Sequence, residues 1–299
     1  MKIGYPCINL TLACKGDKTF RLKSYSEKRF RETVENNLNC LLKILQYNVQ
    51  HQILFFRITS DLIPFASHPI CKYKWQDDYY LTFKEIGSYI KKNHIRISMH
   101  PDQFIILNAK DDDIVQRSIL ELKYHAEILD LLQLDTTAKI QLHIGGVYGD
   151  KKVSIERFIQ NFQILPENIN RRLVIENDHQ RYNLKDCFKL SEEISIPILF
   201  DYLHHQIYNT NEKLQQELTE YVNTWKIKDG IPLCDYSSQQ LNRPKGSHAY
   251  TIDLEDFRYF LELIKPYDID IMLEIKDKEE SAIKAIKIVK NDKRFFMVN

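Results

Sequence analysis

A chain of 299 residues, 43% hydrophobic and 28% charged, can bury a large core and has the size of one α/β barrel, so a single domain over 1–299 is expected. The formal net charge of +1 excludes a nucleic-acid binder held by a long-range positive field; a local groove would need metal cations and a few basic side chains to attract phosphate. There is no run of about 18 apolar residues to span a bilayer, and MKIGYPCINL passes straight into a strand pattern without a basic leader segment, so a cytoplasmic protein with no membrane contact is expected. The six cysteines (Cys7, Cys14, Cys40, Cys71, Cys187, Cys234) are scattered with no C-x-x-C pair. They argue against a zinc ribbon or a dense disulfide framework and for a reducing compartment.

In chain order, hydrophobic period and punctuation predict short strands near 2–8, 52–58, 95–99, 139–144, 172–176, 196–201, 231–235 and 269–274. Helices are predicted near 26–48, 82–93, 113–133, 152–164, 184–193, 213–226, 253–265 and 278–290. The first helix opens on Ser26 with only a partial N-terminal signal. The stretch 59–81 that follows the second strand is aperiodic and carries Phe65, Tyr73, Trp75, Tyr79 and Tyr80, the composition of a loop that walls a site. IRISM, KIQLHI, RLVIE, IPILFD and DIDIMLEI are β-branched or apolar runs too short for independent helices. Asp253-Leu254-Glu255-Asp256 supplies a cap and an acidic first turn. Eight strands, each followed by a helix, predict an α/β fold, the closed parallel (β/α)8 TIM barrel.

Chemistry-bearing residues recur where these strands end. His100 ends the third strand, His143 the fourth, Glu176 the fifth, Asp201 the sixth, Asp235 the seventh and Glu274 the eighth. His68 follows the second strand on its loop, His204 lies three residues past Asp201, and His248 follows the seventh strand. A lone His or Asp at a strand terminus is usually a loop hydrogen-bonder. Six successive strand ends are a different matter, because each buried ionisable group is costly without a charged partner, and all converge on the C-terminal mouth where barrel active sites are built. Imidazole and carboxylate ligands without a thiolate suit Zn²⁺ or Mn²⁺. Nine candidate ligands exceed the needs of one ion, so two or three divalent ions bridged by Glu176 are expected, the usual apparatus for phosphodiester hydrolysis.

Other signals are weaker. Gly145, Gly146 and Gly149 fit a phosphate approach or ordinary turn chemistry equally well. Gln103-Phe104 fits a wedge into a base stack, with burial of Phe104 in the core as the plainer reading. Tyr5 and Asn9 alternate towards the mouth of the first strand, where Tyr5 is as readily simple packing. His51, His94, His125 and His179 fall outside the strand-end pattern and are assigned surface or helix roles.

With these motifs in order, the chain resembles the UV damage endonucleases. The segments that carry the resemblance are GYPCINL (4–10), RITSDLIPFASHP (57–69), SMHPDQF (98–104), LHIGGVYGDK (142–151), VIEND (174–178), FDYLHH (200–205), GSHAY (246–250) and DIMLEIKDKE (270–279). The resemblance implies a Mn²⁺-favouring endonuclease, with Mg²⁺ or Zn²⁺ as alternatives. It would nick damaged double-stranded DNA on the 5′ side of pyrimidine dimers and (6-4) photoproducts and leave a 3′ hydroxyl. It also implies metal ligands at His68, His100, His143, Glu176, Asp201, His204, His248 and Glu274, lesion probing by Gln103 and Phe104, and catalytic or substrate contacts by Glu176, Glu274, Tyr5 and Asn9. One stretch departs: where better-known members carry Lys-x-His on the seventh strand, this chain has Leu233-Cys234-Asp235, and Asp235 is expected as an oxygen ligand in place of the histidine. The competing readings are an abasic-site endonuclease or a sugar isomerase on the same barrel, and a lesion-binding protein without cleavage. A monomer is expected.

Overall fold

The computed structural model describes residues 1–210 and 213–298. Its eight strands are all parallel and pair in sequence order into a closed barrel, β8 returning to β1. They are β1 (Ile3–Pro6), β2 (Phe55–Ile58), β3 (Arg96–Met99), β4 (Lys139–His143), β5 (Leu173–Glu176), β6 (Ile198–Asp201), β7 (Leu233–Tyr236) and β8 (Asp270–Leu273). Around them lie α1 (Glu27–Gln50), α2 (Trp75–Asp78), α3 (Tyr80–Lys92), α4 (Asp112–Leu131), α5 (Lys151–Gln163), α6 (Glu167–Asn170), α7 (Leu184–Ile194), α8 (Tyr202–Ile207), α9 (Leu214–Thr224), α10 (Leu254–Leu263) and α11 (Glu279–Val289). Every expected strand and long helix is present. The additions are the short helices α2, α6 and α8 and three 3-10 turns, which are too brief to leave a hydrophobic period.

Local chemistry starts the helices where the sequence placed them. The Ser26 hydroxyl accepts from Arg29 N at 3.3 Å, and Asp253 accepts from both Glu255 N and Asp256 N. Asn183 and Asp186 form a reciprocal capping box at α7. Gly87 lets α3 pass against the end of α4, since a Cβ there would collide with the Leu132 carbonyl.

The period of two along a strand then sorts side chains by depth inside the barrel. On β4, Lys139, Gln141 and His143 share one face and mark the bottom, the middle and the mouth. Lys139 meets Asp229 at 2.6 Å and Arg96 meets Asp270 at 3.7 Å, so paired charges plug the N-terminal end. One pairing escaped the sequence reading. Cys14 and Cys40 form a disulfide that ties the loop after β1 to α1, so the expectation of reduced thiols throughout is not met. The two cysteines are 26 residues apart, and only the tertiary path brings them together.

Candidate metal centre

The strand ends converge as their order in the sequence demanded. His143 and Glu176 are register partners across β4 and β5, as are Asp201 and Asp235 across β6 and β7. Asp201 also caps α8, accepting from His204 N at 2.7 Å, and this single tight turn swings His204 back over the mouth. His204 is held there by Nδ1, 2.9 Å from the Asn177 carbonyl.

Glu176 is the centre of the cluster and is 1% exposed. Its Oε2 lies 3.5 Å from His100 Nε2 and 3.7 Å from His143 Nε2, and its Oε1 lies 3.3 Å from His204 Nδ1. His248 Nδ1 stands 3.4 Å from Glu274 Oε2. Two groups of potential ligands share Glu176, namely His100–His143–Glu176 and Glu176–Asp201–His204; a third joins Asp201, Asp235 and Glu274.

The electrostatics follow from four buried or half-buried carboxylates in one small volume. Burial raises Asp201 to about 6, although His204 pulls it down. Burial also disfavours ionisation of Glu176, but the His143, His204 and His100 imidazoles outweigh it and hold the carboxyl well below its ordinary range. Burial opposes a charge on His204, yet Asp201 and Glu176 overcome it and push the imidazole up to about 11, whereas burial takes His100 down to about 4. Buried acids in this density call for cations.

The donor set fits divalent ions on geometric grounds. The Nε2 atoms of His100 and His143 aim at one oxygen of Glu176 from beyond ordinary hydrogen-bond range, while the Nδ1 atom of each ring is buried without a partner among the described residues. Ligand atoms roughly 2.1 Å from a shared tetrahedral ion lie roughly 3.4 Å apart, close to these separations. Imidazole and carboxylate without thiolate suit Mn²⁺ or Zn²⁺.

Three expected site residues are placed differently, and a fourth is already engaged. His68 is exposed on the loop after β2, its Nδ1 accepting from Ile70 N at 3.0 Å, and it joins none of the ligand groups. Tyr5 does not line the mouth: it is 0% exposed and its hydroxyl donates to Asn48 Oδ1 of α1 at 2.6 Å. Asn9 is buried beside it, donating to the Tyr5 hydroxyl at 2.9 Å. Tyr5 therefore faces the helix layer, because both faces of a barrel strand are buried and the sequence pattern does not fix which side chain turns inward. Asp235 lies within reach of Asp201 and Glu274, but both its oxygens are taken: Arg57 Nη2 donates to Oδ1 at 2.7 Å and to Oδ2 at 2.8 Å, and Gln141 Nε2 donates to Oδ2 at 2.7 Å.

Arg57, Gln141 and His179 are the site residues the sequence reading missed. Arg57 was findable as a charge inside the apolar strand FFRI, a position that requires a buried partner. His179, assigned to the surface or a helix, borders the cavity over the centre, its ring tilted against that of His204 with 5.0 Å between centroids. His125 is on a helix as expected but is wholly buried.

Two cavities open over the cluster. One of about 740 Å³ is lined by His143, Tyr148, His179 and Arg181; the other, of about 660 Å³, is lined by Cys7, Arg57, His248 and Lys278. Gln103 borders both, and Phe104 beside it is 72% exposed, so the plainer reading of Phe104 as core is overturned.

Fold and site together define a (β/α)8 barrel with a His–carboxylate cluster, able to hold metal ions, at its C-terminal mouth. The UV-endonuclease UvdE family matches residues 1–296, and the chain belongs to that family. It is 42% identical over 292 residues to the UV DNA damage endonuclease of Clostridium perfringens, covering 97% of this chain and 71% of that protein. It is 36% identical over 300 residues to a putative UV-damage endonuclease of Acanthamoeba polyphaga mimivirus, covering 95% and 90% of the two chains. The crystal structure of SacUVDE superposes with a TM-score of 0.93 at 47% identity, covering 97% of this chain and 98% of that one. Endonuclease IV of Thermus thermophilus shares the fold, with a TM-score of 0.59 at 12% identity over 97% and 98% of the two chains.

Proposed function

We propose that this protein is a divalent-metal-dependent DNA repair endonuclease that hydrolyses the phosphodiester on the 5′ side of UV photoproducts, both pyrimidine dimers and (6-4) photoproducts. The observation that carries the reading is two ligand groups sharing buried Glu176 beneath an exposed Gln103-Phe104 ridge. Family membership and the names of the relatives support the same activity. The ligands are His100, His143, Glu176, Asp201 and His204, with His248 and Glu274 at the open side, and Mn²⁺ is the favoured ion. Bound ions would supply activation of water and charge neutralisation at the leaving oxygen.

The chain's own residues provide the rest. Asn177 and Asp201 fix His204, Gln141 fixes Glu176 through a 2.6 Å hydrogen bond, and Lys276 and Lys278 beside the second cavity offer charge to a DNA phosphate. Phe104 and Gln103 stand where an apolar and a polar side chain can enter a weakened base stack. Hydrolysis adds water across the P–O3′ bond and leaves a 3′ hydroxyl and a 5′ phosphate. We place the protein in the cytoplasm, acting on damaged double-stranded DNA as a monomer; among the described residues no helix is long and apolar enough to cross a membrane.

The test is nicking of UV-irradiated supercoiled plasmid with Mn²⁺ against an unirradiated control, with an abasic-site duplex in parallel. Equal nicking of both plasmids ends the damage-specific reading, and preference for the abasic duplex moves the activity to the sibling endonuclease.

A further inference from the structure

Two of the three ligand groups at the mouth contain histidine. The third, Asp201–Asp235–Glu274, is entirely carboxylate, and it already has a cation. Arg57 rises from β2 into the barrel and is 3% exposed. Its Nη2 engages both oxygens of Asp235, at 2.7 and 2.8 Å, and its Nη1 pairs with Glu274 Oε1. The guanidinium thus joins two of the three carboxylates through three oxygens. Gln141 locks the arrangement, its Nε2 donating to Asp235 Oδ2 at 2.7 Å and to Glu176 Oε2 at 2.6 Å.

Taking the metal-dependent reading above as its basis, we propose that Arg57 is a built-in third cation: its guanidinium fills the Asp235–Glu274 corner, so the centre takes two divalent ions rather than three, and Asp235 is a partner of Arg57 rather than a metal ligand.

A guanidinium stays charged at any physiological pH, and with Nη2 on both oxygens of Asp235 and Nη1 on Glu274 it holds the two carboxylates together, so it competes for Asp235 permanently. Asp235 accepts three hydrogen bonds over its two oxygens, two of them from Arg57, which fills most of its acceptor capacity. Charge also limits the count: four carboxylates against one guanidinium leave three negative charges, which two divalent ions already exceed, while a third ion beside Arg57 would add an excess of positive charge in a buried site. The sequence departure at β7 fits the same design. Asp235, unlike a histidine, can accept two hydrogen bonds from a guanidinium, and Leu233 is fully buried and brings no charge of its own.

The experiment counts metal, not activity. Protein stripped with chelator is dialysed to equilibrium against Mn²⁺ and bound manganese is measured by atomic emission. Wild type is expected to saturate at two ions per chain, Arg57→Lys at two, and Arg57→Met, which fills the space without the charge, at three. Three ions on wild type, or two on an Arg57→Met protein with native circular dichroism, overturns the proposal. If Arg57→Met does not fold, Asp235→Asn decides. Retention of two ions with Mn²⁺ affinity within about threefold of wild type supports a non-ligand Asp235; loss of an ion overturns it. Failure of the nuclease reading shows separately, as a two-ion protein that nicks neither irradiated nor abasic DNA.

Discussion

Replacing Glu176 by glutamine keeps the side-chain shape where the two ligand groups meet and removes one buried negative charge. Both groups use this carboxylate, so both ions should weaken together. Opposite unit charges about 4 Å apart attract by about 4 kcal/mol at an effective dielectric near 20, which corresponds to a loss on the order of a thousandfold in affinity, and a divalent ion in direct contact exceeds that figure. The fold should survive, because Glu176 shares its pocket with Asp201, Asp235 and Glu274, and the amide oxygen can still accept the hydrogen bond from Gln141. Isothermal titration with Mn²⁺ reads the affinity, plasmid nicking reads the activity, and thermal unfolding in chelator reads the metal-free stability. Wild-type Mn²⁺ affinity in Glu176→Gln would refute the bridging role, whatever happened to nicking. A collapse of metal-free stability would instead show that Glu176 is needed for the fold.

Phe104→Ala removes an exposed ring, so unfolding should change by less than about 0.5 kcal/mol and metal content not at all, while affinity for a dimer-containing duplex drops roughly tenfold; unchanged affinity in a fluorescence-anisotropy titration would remove Phe104 from DNA recognition. His125 makes a pH prediction. Burial lowers its imidazole to about 4, below the roughly 6.5 of an unfolded chain, so between those values the unfolded state takes a proton that the folded state refuses. Stability is therefore full above about pH 6.5 and is lost as pH falls towards 4, by at most about 3 kcal/mol. His125→Gln should flatten that segment of the urea-stability profile, and parallel profiles for the two proteins would rule the histidine out as its source. Gly87→Ala forces a methyl group into the Leu132 carbonyl between α3 and α4 and should cost about 1–3 kcal/mol by urea denaturation; an unmoved midpoint would mean the helices can slide apart.

The barrel and most of the centre were legible in the order of residues. Alternating apolar strands and amphipathic helices leave few other ways to bury their faces, and in a parallel barrel all strand C-termini share one mouth, so ligands at successive strand ends must meet. Asp201 and His204 were legible even as a pair, because three residues along a single helical turn bring a cap and its neighbour together.

Relations between residues far apart in the chain emerged only from packing. Arg57 finds Asp235 and Glu274 across the barrel interior, at separations of 178 and 217 residues, and no local pattern encodes such a meeting. That contact gives Asp235 a fixed cationic partner that its place at a strand end did not announce. Tyr5 lies away from its expected place because a strand with both faces buried gives no amphipathic cue to which side chain turns inward. His68 depends on the path of an aperiodic loop, and Cys14–Cys40 on how another loop crosses α1. Periodicity places a residue on an element, but only the packing of elements determines which charge it faces.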